Sequence, residues 1–115
     1  MVLYGRRTPI ISDDRCEKAL RFLASTDEEA AELKANVDRT EYKAKAMKAA
    51  CFRMLEGTVA DREAESLGNG AVQEAYEGHF KAIRDYQAVA NKRALQVLIV
   101  EVWRSLQANR RVGNV

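Results

Sequence analysis

Proline is almost missing from this chain of 115 residues: the only one is Pro9, so nothing after it carries the ring that interrupts a helix. Glycine is sparse at six, and its placement reads as punctuation at helix ends. Histidine occurs once, at His79, which excludes a zinc site built on a histidine pair. The two cysteines, Cys16 and Cys51, lack CxxC spacing and a neighbouring histidine, so they read as core residues and not as a disulfide framework, a redox pair or a nucleophile. Glycine-rich phosphate loops, a nucleophile elbow and the dinucleotide fingerprint are all absent. Asp61, Glu63 and Glu65 are spaced by two, which scatters them around a helix and prevents them from converging on a metal. The most apolar run, Leu95 to Trp103, is interrupted by Gln96 and Glu101 and reaches about half the length of a membrane span. The N-terminal Arg6 and Arg7 are not followed by the apolar stretch of a signal peptide. The expectation is a non-enzymatic, soluble, cytoplasmic protein with no membrane partner, catalytic residue, metal, cofactor or small-molecule substrate.

What the chain has is apolar content of 47% and strong helical periodicity. Residues 1–11 show no helical period and read as an extended arm; residues 12–115 read as one helical domain. Ser12, followed by Asp13 and Asp14, predicts the N-cap of a short first helix to about Ser25, with Cys16, Ala19, Leu20, Phe22 and Leu23 on its apolar face. Thr26 with Glu29 spells a capping box and predicts the start of a second helix. Along it Ala30, Leu33, Val37, Thr40, Ala44, Met47, Cys51 and Met54 alternate intervals of three and four, the a/d repeat of a coiled-coil seam. Gly57 predicts its end, Thr58 with Asp61 the cap of a short third helix, and Gly68-Asn69-Gly70 the corner before a last helix from about Ala71 to Asn109.

At 1.5 Å per residue the two longer helices span roughly 45 and 60 Å, too long for a compact chain of this size, so they are expected to pair as an antiparallel hairpin. The expected facing stripe of the last helix is Val72, Tyr76, Phe80, Ile83, Ala90, Ala94 and Val97. Beyond it Leu95, Leu98, Ile99, Val102, Trp103 and Leu106 make the end apolar almost all round. These six are the candidate oligomer or partner interface, which the first helix covers in part and a second subunit in the remainder. The fold class is therefore all-α: a long, coiled-coil-like antiparallel helical hairpin with two short additional helices, expected to form a homo-oligomer.

The net charge of +2 is segmented. Residues 12–38 hold eight acids and four bases, 39–53 one acid and five bases, 54–90 seven acids and three bases, and 91–115 one acid and five bases. Folding the hairpin sets Arg39, Lys43, Lys45, Lys48 and Arg53 near Glu74, Glu77 and Asp85, and Lys92, Arg93 and Arg104 near Asp27, Glu28, Glu29 and Glu32. Complementarity of this kind sets register, each exposed pair contributing a few tenths of a kcal/mol. Lys43, Lys45 and Lys48 lie at different azimuths and cannot all face one partner helix. With Arg104, Arg110 and Arg111 they are the candidate nucleic-acid-binding residues.

Two segments carry a resemblance: Glu56-Gly57-Thr58-Val59-Ala60-Asp61-Arg62-Glu63-Ala64 and Val102-Trp103-Arg104-Ser105-Leu106-Gln107-Ala108-Asn109-Arg110-Arg111. From about Asp13 to Asn114 the chain resembles small all-helical proteins encoded by tailed bacteriophages and prophages. That family has no catalytic motif and no firmly assigned role. The resemblance implies membership in a phage gene set for DNA replication or recombination, with nucleic acid or a DNA-processing protein as partner, and it carries over no site residues. The alternative expectation is a protein-binding adaptor, inhibitor or structural phage component that does not touch DNA.

Overall fold

Ser12 opens the first helix. In the computed structural model, which describes residues 10–113, its Oγ accepts from the Arg15 amide at 3.0 Å. The helix that follows, α1 (Asp13–Met54), runs without a break. The two helices expected at 12–25 and from Thr26 onward are thus one, and only one short helix remains, α2 (Val59–Gly68), before α3 (Gly70–Gly113). The capping box at Thr26 does not form. Thr26 Oγ1 instead donates to the Phe22 carbonyl at 2.7 Å, and Ser25 Oγ to the same carbonyl at 3.1 Å. Back-bonding of this kind lets a residue suited to a cap sit inside a helix. The seam explains why the helix continues: the intervals read from Ala30 to Met54 extend backward in phase through Thr26, Leu23, Ala19 and Cys16.

The other boundaries follow their local chemistry. α1 ends before Gly57, whose φ of 111° lies in the left-handed region open to glycine. Thr58 Oγ1 accepts from the Asp61 amide at 3.1 Å and caps α2. Asn69 Oδ1 accepts from the amides of Ala71 and Val72, at 2.9 and 3.1 Å, and caps α3. α3 continues to Gly113, past the expected end at Asn109.

The described residues are all-α, with α1 and α3 paired antiparallel, and they fall into two compact units: α1 up to Glu28 with α3 from Ala90, and the segment Glu29–Val89. In the first unit Trp103 Nε1 donates to Asp13 Oδ1 at 2.8 Å, Arg15 donates to Gln96 at 3.1 Å, and Arg93 reaches the chain around Thr26. In the second unit Lys34 lies 5.6 Å from the centre of the Tyr86 ring, and Thr40 meets His79 at 3.0 Å. Because Thr40 spends its hydroxyl proton on the Asn36 carbonyl at 2.8 Å, Nδ1 of His79 is the donor to Thr40.

These contacts correct the expected stripe on α3. Phe80, Ile83, Ala94 and Val97 are exposed, and the buried or half-buried line is Val72, Ala75, His79, Ala82, Tyr86, Val89, Arg93, Gln96, Val100, Trp103 and Gln107. It too alternates intervals of three and four, but polar side chains occupy many of its positions. Val72 and Tyr76 keep their inward placement and Ala90 is half-buried. On α1, Cys16, Ala19 and Ala44 are buried, whereas Met47 and Met54 near the C-terminal end of the repeat are exposed. The buried apolar side chains are small, and Val72 is the largest that is fully enclosed. The expected arm at residues 1–11 lies outside the described residues except for Ile10 and Ile11, as do Arg6 and Arg7.

Gly78 sits mid-helix on α3 with no atom within 4 Å of the place a Cβ would take, whereas Gly57 holds a conformation that strains any other residue. Gly78→Ala is expected to stabilise the protein by about 0.5–1 kcal/mol and Gly57→Ala to destabilise it by about 1–3 kcal/mol, as read by chemical denaturation.

Candidate nucleic-acid and partner interface

The cations named from the sequence separate into engaged and free groups. Lys45 is tied to Glu41 at 2.7 Å, one turn away on the same helix. That bond holds the Glu41 carboxyl below the usual glutamate range and raises the Lys45 ammonium above the usual lysine range. Lys48 crosses to α2 and meets Glu63 at 2.6 Å, and this hydrogen bond likewise raises its pKa. Lys43 is exposed and holds no ion pair or hydrogen bond among the described residues. Arg104, Arg110 and Arg111 are exposed and equally without partners.

Lys45 and Lys48 still share a groove, of about 480 Å³, with Ala49, Phe52, Arg53, Glu63 and Tyr76. Glu63 puts a carboxylate in its wall, so an anion entering there competes with the Lys48–Glu63 pair. Sequence reasoning named neither Arg53 nor Tyr76 as a site residue, and it placed Lys48 opposite Glu74, Glu77 and Asp85. The nearer acid is on α2, whose docking had no signature in the charge blocks. Lys43 lines a different, more apolar groove with Thr40, Met47, Ala71, Glu74, Ala75 and Gly78.

Ion pairing between helices is accordingly sparse. Of the seven ion pairs among the described residues, five join residues one turn apart on one helix, and only Lys48–Glu63 and Arg93–Asp27 join two helices. Arg93 was expected near the acids at 27–32, and it is there. Its guanidinium donates to the Leu23 carbonyl at 2.8 Å and to Thr26 Oγ1 at 2.6 Å, with Asp27 Oδ1 at 3.4 Å.

The end of α3 has two unlike flanks. The residues facing α1 in the first unit include Arg93, Gln96, Val100 and Trp103. One residue turns a helix by about 100°, so positions one after this line share one flank and positions one before it share the other. The flank after it carries Ala94, Val97, Glu101, Arg104, Ala108 and Arg111; the flank before it carries Leu95, Ile99, Val102 and Leu106. Arg110 continues the facing line, but Trp103 already pairs with Asp13 at the start of α1, so Arg110 lies beyond the paired helices. The six expected interface residues divide accordingly. Leu95 and Leu98 are exposed, Val102, Trp103 and Leu106 are half-buried, and Ile99 is buried.

Among the described residues no cluster of acids, cysteines and histidine is arranged to hold a metal ion, and no helix is long and apolar enough to cross a membrane. No family model, curated protein or solved structure matches the chain.

Two outcomes follow from these contacts. Lys48 carries a raised pKa because Glu63 favours its charged form, so the Lys48–Glu63 bond is present at neutral pH and is lost only as pH rises through the folded-state value. Glu63→Gln is expected to move the Lys48 titration back down, toward that of an ordinary lysine, as followed by NMR of its side-chain methylene next to Nζ. Thr26→Val removes an acceptor from the Arg93 guanidinium at nearly constant volume and is expected to cost about 1–2 kcal/mol in denaturant unfolding.

Proposed function

We propose that this chain is a non-enzymatic accessory protein of a phage or prophage, acting in DNA replication or recombination and binding nucleic-acid phosphate through Arg104, Arg110 and Arg111. The observation that carries the reading is the contrast within one unit. The bases of α1 there are all engaged: Arg15 with Gln96, Lys18 with Asp14, and Arg21 with Glu17. The three arginines at the end of α3 have no carboxylate partner among the described residues. Arg104 and Arg111 are seven residues apart and share one flank, about 10 Å apart along the helix, within reach of phosphates on one strand. Phosphate contact of this kind needs no aromatic platform, in keeping with the placement of Trp103, whose indole is half-buried and bonded to Asp13. Acting as a homo-oligomer in the cytoplasm of a host cell belongs to the same reading. Lys43 supplies a further exposed cation, while Lys45 and Lys48 contribute only if their pairs open.

A second reading is favoured by a separate observation, the exposure of Leu95 and Leu98 at 53% and 54%. In it the chain is an adaptor, inhibitor or structural phage component that binds protein and leaves DNA alone.

Fluorescence anisotropy with labelled single- and double-stranded oligonucleotides separates the two. The triple variant Arg104→Ala, Arg110→Ala, Arg111→Ala is expected to bind about tenfold or more weakly at low salt, with unchanged helical circular dichroism. Undiminished binding by that variant moves the contact to Lys43 and its neighbours. No binding by the wild-type chain at low salt leaves the adaptor reading.

A further inference from the structure

The unit Glu29–Val89 has its own surplus of positive charge, gathered at the groove of about 480 Å³ between α1, α2 and α3. There Lys45 is matched by Glu41 and Lys48 by Glu63, while Arg53 in the groove wall has no carboxylate partner among the described residues. Arg62 has none either. Its guanidinium lies 4.3 Å from the centre of the Phe52 ring, another part of the wall, and its Nε is buried without a hydrogen-bond partner. Two arginine charges next to Phe52 thus remain uncompensated. A buried donor with no acceptor costs free energy that a bound acceptor recovers.

The chemistry of the walls narrows the ligand. Two uncompensated cations match a phosphomonoester, which carries a charge of about −1.5 to −2 at neutral pH and three acceptor oxygens, better than they match the single charge of a phosphodiester. Phe52 and Tyr76 add aromatic surface beside the cations, the combination that takes a base and a phosphate together. The volume lies within the range of small-ligand sites, about 300–1,000 Å³. We propose that this groove binds a nucleoside monophosphate group, as the free nucleotide or as the phosphorylated end of a nucleic-acid strand, with the phosphate on Arg53 and Lys48 and the base against the aromatic wall. Glu63 holds Lys48 until the phosphate displaces it, so Glu63 weakens binding. This extends the proposed function to a contact on the other unit from Arg104 and Arg111, and one that reads a strand end where those arginines meet any phosphate.

The test is calorimetric titration of the full chain at low salt with adenosine monophosphate, adenosine and inorganic phosphate, beside anisotropy with oligonucleotides ending in a phosphate or a hydroxyl. The nucleotide is expected to bind more tightly than either of its parts. Arg53→Ala is expected to bind it about tenfold more weakly, with helical circular dichroism retained. Glu63→Gln is expected to bind it more tightly, a gain that loss of folding cannot imitate. Tighter binding of the phosphate-ended strand supports the groove with the strand end as its ligand, and nucleotide binding without an end preference supports it with the free nucleotide. Absence of both overturns the proposal, as does inorganic phosphate binding as tightly as the nucleotide. The variant lacking Arg104, Arg110 and Arg111 is expected to keep the nucleotide. A wild type that binds strands whatever their ends and takes no nucleotide removes the groove and keeps the α3 arginines; one that takes the nucleotide and binds no hydroxyl-ended strand does the reverse.

Discussion

The constraint on which the structure depends is the unbroken alternation of three and four along α1, from Cys16 to Cys51. It keeps one line of side chains buried or half-buried from Cys16 to Ala44, with Met47 and Met54 exposed beyond it. The line is made mostly of small residues, and apart from Ile99 the buried apolar groups are correspondingly small: Cys16, Ala19, Ala44, Val72 and Ala82. A seam of that kind supplies little preference for one register over another. Register comes from the polar contacts set into it: Asp13 with Trp103, Arg15 with Gln96, Thr26 with Arg93, and Thr40 with His79. Each joins one donor to one acceptor, so a slip by one heptad leaves half-buried polar groups without partners, at a cost of about 1–3 kcal/mol each.

The same seam sorts the remaining surface of the last third of α3. Once Arg93, Gln96, Val100 and Trp103 face α1, residues one place ahead and one place behind are sent to opposite flanks. Arg104 and Arg111 go to one flank, together with Val97 and Glu101, and Leu95, Ile99, Val102 and Leu106 to the other.

Much of this was legible in the amino-acid sequence. The α1 seam, the caps at Ser12 and Thr58, the turn at Gly57 and the corner at Asn69 each rest on local chemistry, and the structure places them where the residues indicate. The division at Ser25 and Thr26 misled because hydroxyl side chains satisfy a carbonyl inside a helix as readily as an amide at its start. The α3 seam was missed for a different reason. A search for apolar residues passes over His79, Tyr86, Arg93 and Gln96 and selects Phe80 and Ile83 instead, although the interval pattern through the polar residues is regular. Among the candidate site residues, exposure of Arg104, Arg110 and Arg111 followed from their place near a helix end. The engagement of Lys48 by Glu63 did not, because it depends on where α2 docks.

The most direct test of the account is the salt dependence of oligonucleotide binding by the wild-type chain. Contact with three phosphates by three free arginines predicts that the logarithm of the association constant falls with the logarithm of salt concentration with a slope of about −2 for a single strand and about −3 for a duplex. A slope near zero, or no binding at low salt, contradicts it.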